Sequence, residues 1–353
     1  MGKYMKKKQK ASWKKRTLTG LCVVLALILT VMVAGTVYFE SLLGKINRPG
    51  DDESLSKEEL EQLLQEDMEQ DSEDATGEAV DDDDILVGGA EQIITGSDTI
   101  NIMLVGQDAR PGEKRARSDT MILCTIRKSD GSVTLTSFLR DTYVKIPGIR
   151  KGKMNTAYRY GGMELLADTM LENFGIKVDN TVAVNFTGFM DVINTLGGVE
   201  IELTDAEAAW MNTHGGGDVG GNQHWKLKGG KNLLDGYQAL AYARIRKLDN
   251  DFGRTERQRK VLAAMVEQVR NLNLAQLNSL VNQLVSLITT DMTNAEITGY
   301  VLELFPLLAD LKIHNQRVPV DNSYHYSNIQ GSGSCVVIDF EVNRAFLKET
   351  LGD

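Results

Sequence analysis

Residues 100–141 read INIMLVGQDARPGEKRARSDTMILCTIRKSDGSVTLTSFLRD, and this stretch decides the fold. It contains three apolar, β-branched runs, at residues 100–105, 120–126 and 133–139. Because each run is short and is bounded by Gly, Asp or Ser, the pattern predicts three buried strands of one sheet. Acids and arginines stand beside each run. We therefore expect them to collect at strand ends, where loops carry function in α/β folds.

Two acids beside these strands have the chemistry of a metal site. Asp108 and Asp119 each stand close to an arginine, in GQDAR and RSDT. Carboxylate oxygens are hard ligands that suit Mg²⁺, which completes its shell with phosphate oxygens and water. An ordinary salt bridge at a strand end explains an Asp next to an Arg equally well. The spacing leaves both interpretations open.

Arginines are concentrated in the same stretch and again near residue 250. An arginine keeps its charge and offers a planar fork that binds phosphate oxygens in pairs. Arg244 and Arg246 are two residues apart, so in an extended chain they point the same way. Arg254 and Gln258 share one helix face, whereas Arg257 is expected to be solvated. The local charge is positive, which favours an anion site over a surface of ion pairs.

The N-terminal region predicts a membrane anchor. Residues 1–17 form a basic tail without an acid, and residues 18–39 carry no charge. About 20 apolar residues are enough for a transmembrane helix, whereas the apolar part of a cleaved signal peptide has roughly 7–15. The positive-inside rule places the tail in the cytoplasm and the chain after the span outside.

Residues 40–84 are predicted to be an acidic, disordered linker. Between residues 51 and 84 there are seventeen acidic residues and one lysine, although the net charge of the whole chain is only −10. Like charges in series repel one another and bury little apolar surface. The leucines of this segment allow a short helix within it; they are Leu55, Leu60, Leu63 and Leu64.

Residues 85–353 are long enough for one large domain. Helical and extended patterns alternate along it, which favours an α/β fold of the three-layer α/β/α sandwich type. Predicted helices lie at 163–174, 189–196, 235–243, 254–271, 274–289 and 295–308, with a closing helix to 351, and further strands at 181–185, 199–203, 313–320 and 335–340. Cys124 and Cys335 can pair only if their strands are neighbours, and buried free thiols are common.

Several familiar systems are absent from the sequence. It contains no G-x-S-x-G elbow, no Walker A loop and no H-E-x-x-H motif, and its four histidines are scattered. No motif of a nucleic-acid reader is present either. Nucleic acid is therefore not among the predicted partners.

Six sequence blocks, in order, resemble the LytR-CpsA-Psr family of membrane-anchored cell-wall glycopolymer transferases. They are NIMLVGQDAR, RSDTMILCTI, TLTSFLRDTYVKIPG, KMNTAYRYGG, VNFTGFMDVINTLGGVEIEL and LDGYQALAYARIRKLDNDFGRTERQ. The resemblance implies a sandwich with a central mixed sheet, preceded by one transmembrane helix. It implies that Asp108 and Asp119 bind Mg²⁺, with Mn²⁺ as the alternative. Residues implied to bind the pyrophosphate are Arg117, Arg140, Arg244, Arg246, Arg254 and Gln258.

The activity implied by the resemblance is that of a glycopolymer–peptidoglycan phosphotransferase. The donor would be a polyprenyl-pyrophosphate-linked glycan of teichoic acid or capsule type, and the acceptor a hydroxyl of peptidoglycan. The implied catalytic residues are Asp108, Asp119, Arg117 and Arg140, in an extracellular domain held to the cell membrane by a single span. Two alternatives stay open: a polyprenyl-pyrophosphate hydrolase, and a non-enzymatic, membrane-tethered regulator of the envelope.

Overall fold

The computed structural model describes residues 38–50, 55–73, 79–81, 85–91, 96–107, 115–214, 225–246, 248–249, 251–270, 272–304 and 312–352. The chain divides into two compact units, residues 1–46 and 47–353. In the described part of the first unit, residues 38–43 are helical. The second unit contains all the elements named below.

No helix in the described ranges is both long enough and apolar enough to cross a bilayer. Residues 1–37 lie outside those ranges. They include the whole predicted basic tail at 1–17 and all but the last two residues of the predicted span at 18–39.

Twelve strands and nine helices are defined in the described part of the second unit. The strands are β1 Thr99–Gln107, β2 Ser118–Arg127, β3 Ser132–Phe138, β4 Tyr143–Ile146, β5 Arg150–Lys153, β6 Asn180–Asn185, β7 Val199–Leu203, β8 Gly230–Leu234, β9 Ile288–Thr290, β10 Lys312–Val318, β11 Tyr324–Ile329 and β12 Gly333–Ile338. The helices are α1 Lys57–Glu73, α2 Asn155–Phe174, α3 Phe186–Thr195, α4 Asp205–His214, α5 Gly236–Ala243, α6 Asp251–Arg270, α7 Leu274–Leu284, α8 Asn294–Leu304 and α9 Phe340–Leu351.

The centre of the fold is a six-stranded mixed sheet in the order β10-β3-β2-β1-β6-β9. The three strands predicted from residues 100–141 are its middle members, and β2 pairs antiparallel with both β1 and β3. β6 and β10 add parallel partners to β1 and β3 respectively. The sequence prediction of an α/β fold with a central mixed sheet is confirmed.

Alternation along the strands sends apolar side chains to both faces of this sheet. On one face, Met103 and Leu123 pack against Leu166 of α2 and Leu347 of α9. On the other face, Leu104, Ile122 and Leu135 pack with Leu262 of α6. Helices therefore cover both faces, and the runs in β1 and β2 are apolar almost throughout because neither face meets water.

Two predicted helices differ clearly in extent from the structure. α2 begins at Asn155, eight residues before the predicted start at 163, and Gly162 interrupts it with φ +66°. The apolar stripe from which the helix was predicted begins only after this interruption. The predicted helix 274–289 ends at Leu284, and the last residues form strand β9 instead. Cys124 and Cys335 are both free.

Part of the acidic segment is ordered: the segment was predicted to be a disordered linker that allows a short helix at its leucines, and the structure has a helix of 17 residues there. Residues 57–73 form α1, whose leucines at 60, 63 and 64 pack against the main core cluster. Asp67 and Asp71 are buried at 0% and 1% exposure. A run of like charges can fold in this way when a basic surface elsewhere in the chain supplies the counter-charge.

The counter-charge comes from β5, α2 and the residue before β2. The two Asp67 carboxylate oxygens contact Arg117 at 2.9 Å, the guanidinium of Arg159, and the hydroxyl of Tyr160 at 2.7 Å. Asp71 Oδ1 accepts hydrogen bonds from Arg117 Nη1 and from Lys153 Nζ, both at 2.9 Å. Three cations thus hold one face of α1 against the domain.

Removing the Asp67 carboxylate should therefore destabilise the fold. We expect Asp67→Ala to lower the free energy of unfolding by roughly 3–5 kcal/mol, because the buried end of two ion pairs is removed and two partly buried guanidinium groups lose a partner. Urea denaturation measures the change. Glu61→Ala is the matched control, since Glu61 is exposed on the same helix and its loss should change stability by less than about 0.5 kcal/mol. Equal effects of the two substitutions would contradict the role given to α1.

Candidate active site

A cavity of about 360 Å³ lies on the face of the sheet that α6 covers. Its wall is almost entirely apolar, and side chains from the sheet and from α3, α5 and α6 form it, among them Leu104, Ile122, Val182, Phe189, Leu240 and Leu262. The few polar side chains in the wall include an acid, three arginines and a glutamine: Asp119, Arg244, Arg246, Arg254 and Gln258. A cavity of this composition fits a ligand with a long apolar part and an anionic group.

Asp119 and Arg140 form the central ion pair of the polar part. Arg140 Nη1 donates to Asp119 Oδ1 at 2.7 Å, and Arg140 Nε donates to Asp141 Oδ2 at 3.2 Å. Burial alone would raise the pKa of Asp119, but the charges of Arg140 and Arg246 outweigh it and hold that pKa below its ordinary value. Burial opposes the charge of Arg140 as well, yet Asp141 and Asp119 raise its pKa above the ordinary value. Both groups are charged at neutral pH.

The turn that carries Arg140 is fixed by backbone hydrogen bonds on both sides. Asn155 N donates to Arg140 O at 3.0 Å, which ties the turn to the start of α2. Val336 N donates to Asp141 O at 2.8 Å, which ties it to β12. Arg140 is therefore positioned before any ligand arrives, as a preorganised electrostatic site requires.

Arg244 and Arg246 lie in the turn that follows α5, and both line the cavity. That helix begins with a capping box between Asp235 and Gln238, and Arg244 is its C-cap. Ile245 is completely buried in a separate core cluster, so the arginines on either side of it both face the cavity. Arg246 Nη2 lies 3.5 Å from Asp119 Oδ1, and the guanidinium of Arg244 lies 4.3 Å from the ring centre of Phe186.

Arg254 is the most unusual residue of the cavity wall. Its side chain is 2% exposed, and Nη1 forms an ion pair with Asp251 at 3.1 Å. Among the described residues, however, none of its three guanidinium nitrogens has a hydrogen-bond partner. Burial and the neighbouring charge of Arg140 lower the pKa of Arg254 to about 10. A buried cation with unused donors is costly unless an anion is bound to it.

The structure brings six of the eight predicted site residues together. Asp119, Arg244, Arg246, Arg254 and Gln258 line the cavity, and Arg140 contacts Asp119. Arg117 has other partners: its guanidinium is bound to Asp67 and Asp71 of α1, and it does not line the cavity. Asp108 lies outside the described residues.

The sequence prediction for Arg257 is wrong. Arg257 is 3% exposed, and its Nη2 donates to Asp249 Oδ1 at 2.6 Å and to Ile245 O at 2.9 Å. Glu207 Oε1 lies 3.5 Å from Nη1. These bonds hold the chain between α5 and α6, and with it Arg244 and Arg246, in place. Spacing along α6 does not reveal partners that come from α4 and from a loop.

Among the described residues, the cavity wall offers a metal ion one carboxylate, that of Asp119. Asp119 is ionised and its side chain is 20% exposed, so it has room for a further ligand. Within the described ranges no group of three or more His, Cys, Asp or Glu side chains is arranged to hold a metal ion. This donor set fits a cation such as Mg²⁺ that takes most of its ligands from phosphate and water, and it does not fit a closed protein cage.

These features define an apolar cavity with a cluster of arginines at its polar end, and the chain belongs to the LytR_cpsA_psr family, whose model matches residues 59–336. It is 34% identical over 223 residues to the polyisoprenyl-teichoic acid–peptidoglycan teichoic acid transferase TagT of Bacillus subtilis (strain 168), covering 62% of this chain and 66% of that protein. It is 36% identical over 187 residues to TagU of Enterococcus faecalis (strain ATCC 700802 / V583), covering 51% and 57%. The chain thus spans less than two thirds of the length of both relatives.

A solved structure agrees with the fold. The structure of the LytR-CPS2A-psr family protein YwtF (TagT) with bound octaprenyl pyrophosphate lipid superimposes with a TM-score of 0.55 at 26% identity. The superposition covers 78% of this chain and 98% of that one. The mixed α/β fold of the family is therefore shared.

Two arginines of α6 should respond to the same substitution with opposite signs. Arg254→Met removes a buried charge with unused donors, so we expect the free energy of unfolding to rise by about 1–2 kcal/mol. Arg257→Met leaves Asp249 and Glu207 without their partner, so we expect a loss of roughly 3–5 kcal/mol. Chemical denaturation of both variants without ligand provides the comparison. A loss of stability in Arg254→Met would show that the ion pair with Asp251 outweighs the cost of burying Arg254, and that Arg254 is not held ready for an anion.

Proposed function

We propose that this chain is a phosphotransferase that attaches a polyprenyl-pyrophosphate-linked glycopolymer, of teichoic acid or capsule type, to peptidoglycan. The observation that carries the proposal is Arg254, which lies in the wall of an apolar cavity with Asp119 and Arg246 and whose buried guanidinium has no hydrogen-bond partner among the described residues. A pyrophosphate with an apolar tail fits both features, because its phosphates would bind the guanidinium of Arg254 and its tail would occupy the apolar cavity. The names of the relatives, which are teichoic acid transferases, support the same reading.

The donor would bind with its prenyl chain in the cavity and its pyrophosphate at the arginines. Arg140, Arg246 and Arg254 would contact the phosphate oxygens, with Arg244 and Gln258 at the edge of the same group. Because these side chains are fixed by ion pairs and by buried backbone, they would stabilise developing charge with little rearrangement. Arg117 enters the proposal through the family resemblance alone, because in the structure its guanidinium is bound to α1.

In the proposed reaction, a peptidoglycan hydroxyl oxygen attacks the phosphorus nearer the glycan. A new phosphodiester bond forms, and the bond from that phosphorus to the bridging oxygen breaks. Polyprenyl phosphate leaves with the bridging oxygen, and the hydroxyl proton passes to a carboxylate, for which Asp108 and Asp119 are the two candidates. Hydrolysis of the same pyrophosphate differs only in that water replaces the hydroxyl.

Mg²⁺, or Mn²⁺ in its place, would be held by Asp119 together with Asp108, and it would neutralise charge on the pyrophosphate. A cell-membrane location also belongs to the proposal. Residues 18–39 would form a single span with the basic tail in the cytoplasm and the catalytic domain outside, where a lipid-linked donor and peptidoglycan meet.

The proposal is tested with the full chain in detergent micelles, given Mg²⁺, a polyprenyl-pyrophosphate-linked glycan and peptidoglycan oligomers. We expect mass spectrometry to show a glycan-phosphate-peptidoglycan product. Arg140→Ala should lower its rate of formation at least about 100-fold, because a fixed donor to the transition state is lost. Lys260→Ala, a change at an exposed position of α6, is the control and should leave the rate unchanged.

The products separate the alternatives. Release of polyprenyl phosphate and free glycan phosphate without the conjugate would identify a hydrolase. Binding of the donor without turnover would identify a regulator. An unchanged rate in Arg140→Ala would refute the assignment of the site.

The lipid-binding role of the cavity gives a separate prediction. Val182→Phe places a ring in the cavity wall, so we expect the KM for a long-chain prenyl donor to rise about tenfold or more, while a donor with a two-isoprene tail is affected little. Val342→Phe, the same substitution at an exposed position of α9, is the control. If Val182→Phe treats both donors alike, the prenyl chain binds elsewhere.

A further inference from the structure

A series of aromatic rings lies beside the phosphate-binding arginines and has no part in the proposed reaction. Phe252, the residue after Asp251, packs against Tyr324 of β11 with ring centres 4.8 Å apart. Tyr324 packs in turn against Tyr326 at 6.0 Å and an interplanar angle of 89°. The guanidinium of Arg317 lies 4.0 Å from the ring centre of Phe252. We call Phe252, Tyr324 and Tyr326 the aromatic series.

Exposure changes steadily along this series. Phe252 is 9% exposed, Tyr324 is partly buried against the main core cluster, and Tyr326 is 53% exposed. Tyr324 and Tyr326 are two residues apart on β11 and so lie on one face of the hairpin, while His325 between them points the other way. The inner two rings thus hold the outer ring in a fixed orientation with more than half of it accessible.

Two chains of contacts connect this surface to the anion site. The first runs from Arg140 to Asp141, from Asp141 O to Val336 N at 2.8 Å, and across the hairpin pair Val336–Tyr326. The second runs from Arg254 to Asp251 and through Phe252 and Tyr324. Burial raises the pKa of Tyr326, and the charge of Asp251 raises it further, as expected for a phenol close to that carboxylate.

The position of the surface relative to the cavity decides what it can bind. Arg140 has a different acidic partner on each side of its guanidinium. Nη1 donates to Asp119, which lines the apolar cavity, and Nε donates to Asp141, whose backbone is bonded to the hairpin. A ligand with its lipid in the cavity and its phosphates on the arginines would therefore emerge on the hairpin side. The group attached to the phosphate there is the glycan. Aromatic rings suit sugars because a pyranose ring has an apolar face of C–H groups that stacks on them, while a phenol hydroxyl can meet the sugar hydroxyls.

We propose that Tyr326, supported by Tyr324 and Phe252, is a stacking site for a pyranose ring at the active centre. The ring belongs either to the first sugar of the donor or to the peptidoglycan acceptor, and both carry the same apolar face. This inference rests on the proposed function, because the direction in which the glycan leaves the site is set by the placement of lipid and phosphate.

The test compares two lipid ligands of the full chain in detergent micelles, polyprenyl pyrophosphate and the same lipid carrying a disaccharide. For Tyr326→Ala we expect the Kd of the glycosylated ligand to rise about tenfold, and the Kd of the sugar-free ligand to stay the same. Tyr326→Phe should retain most of the affinity because the ring remains. His325→Ala, which alters the opposite face of the same strand, is the matched control and should change neither Kd.

Steady-state kinetics then identifies the source of the sugar. A rise in the donor KM together with the donor Kd assigns the site to the donor. A rise in the acceptor KM, with both lipid affinities unchanged, assigns it to peptidoglycan. If Tyr326→Ala changes none of these quantities, or weakens the sugar-free ligand equally, the stacking site is refuted. Failure of the proposed function itself would look different, since the wild-type chain would then form no conjugate at all.

Discussion

The ion pair between Asp119 and Arg140 is the interaction on which the site depends. Burial lowers the pKa values of Arg246 and Arg254, and the nearby charge of Arg140 lowers both further. Three acids offset the repulsion between these arginines. Asp119 of β2 and Asp141 pair with Arg140, and Asp251 of α6 pairs with Arg254. Without these acids, three guanidinium groups would not stay assembled against an apolar cavity.

The same balance explains why part of the acidic segment is folded. Basic residues near β2 and α2 are in excess in this region, and α1 supplies Asp67 and Asp71 to Arg117, Arg159 and Lys153. Each of these cations has an acidic partner on α1, whereas the guanidinium nitrogens of Arg254 have no hydrogen-bond partner among the described residues. These arginines therefore differ in what the fold supplies to them. Arg117 and Arg159 are paired by the fold and stabilise it, whereas Arg254, in the proposed function, is kept for a ligand at a cost in stability.

The sequence was informative where the pattern is local. The three central strands were predictable from the runs in residues 100–141, and the alternation around Ile245 correctly placed Arg244 and Arg246 on one side. The sequence was not informative where the partner of a side chain lies many residues away in the chain. Arg117 is bound by acids 50 and 46 residues away, and a run of acidic residues gives no sign of the basic surface that orders it. The sequence gives no sign of the proposed stacking site at Tyr326, because the rings that support it include Phe252, which lies some seventy positions earlier in the chain.

Helix α6 also sets the spacing of the whole site. Phe252 lies at its start, Arg254 and Gln258 come within the next two turns, and Leu262 and Met265 continue the same stripe along the cavity wall. Each residue added to a helix rotates the residues after it by about 100° and moves them by about 1.5 Å. A single insertion between Arg254 and Leu262 would turn the apolar wall away from the arginines without removing any residue of the site. The length of this helix between those residues is therefore fixed, in addition to the identity of its site residues.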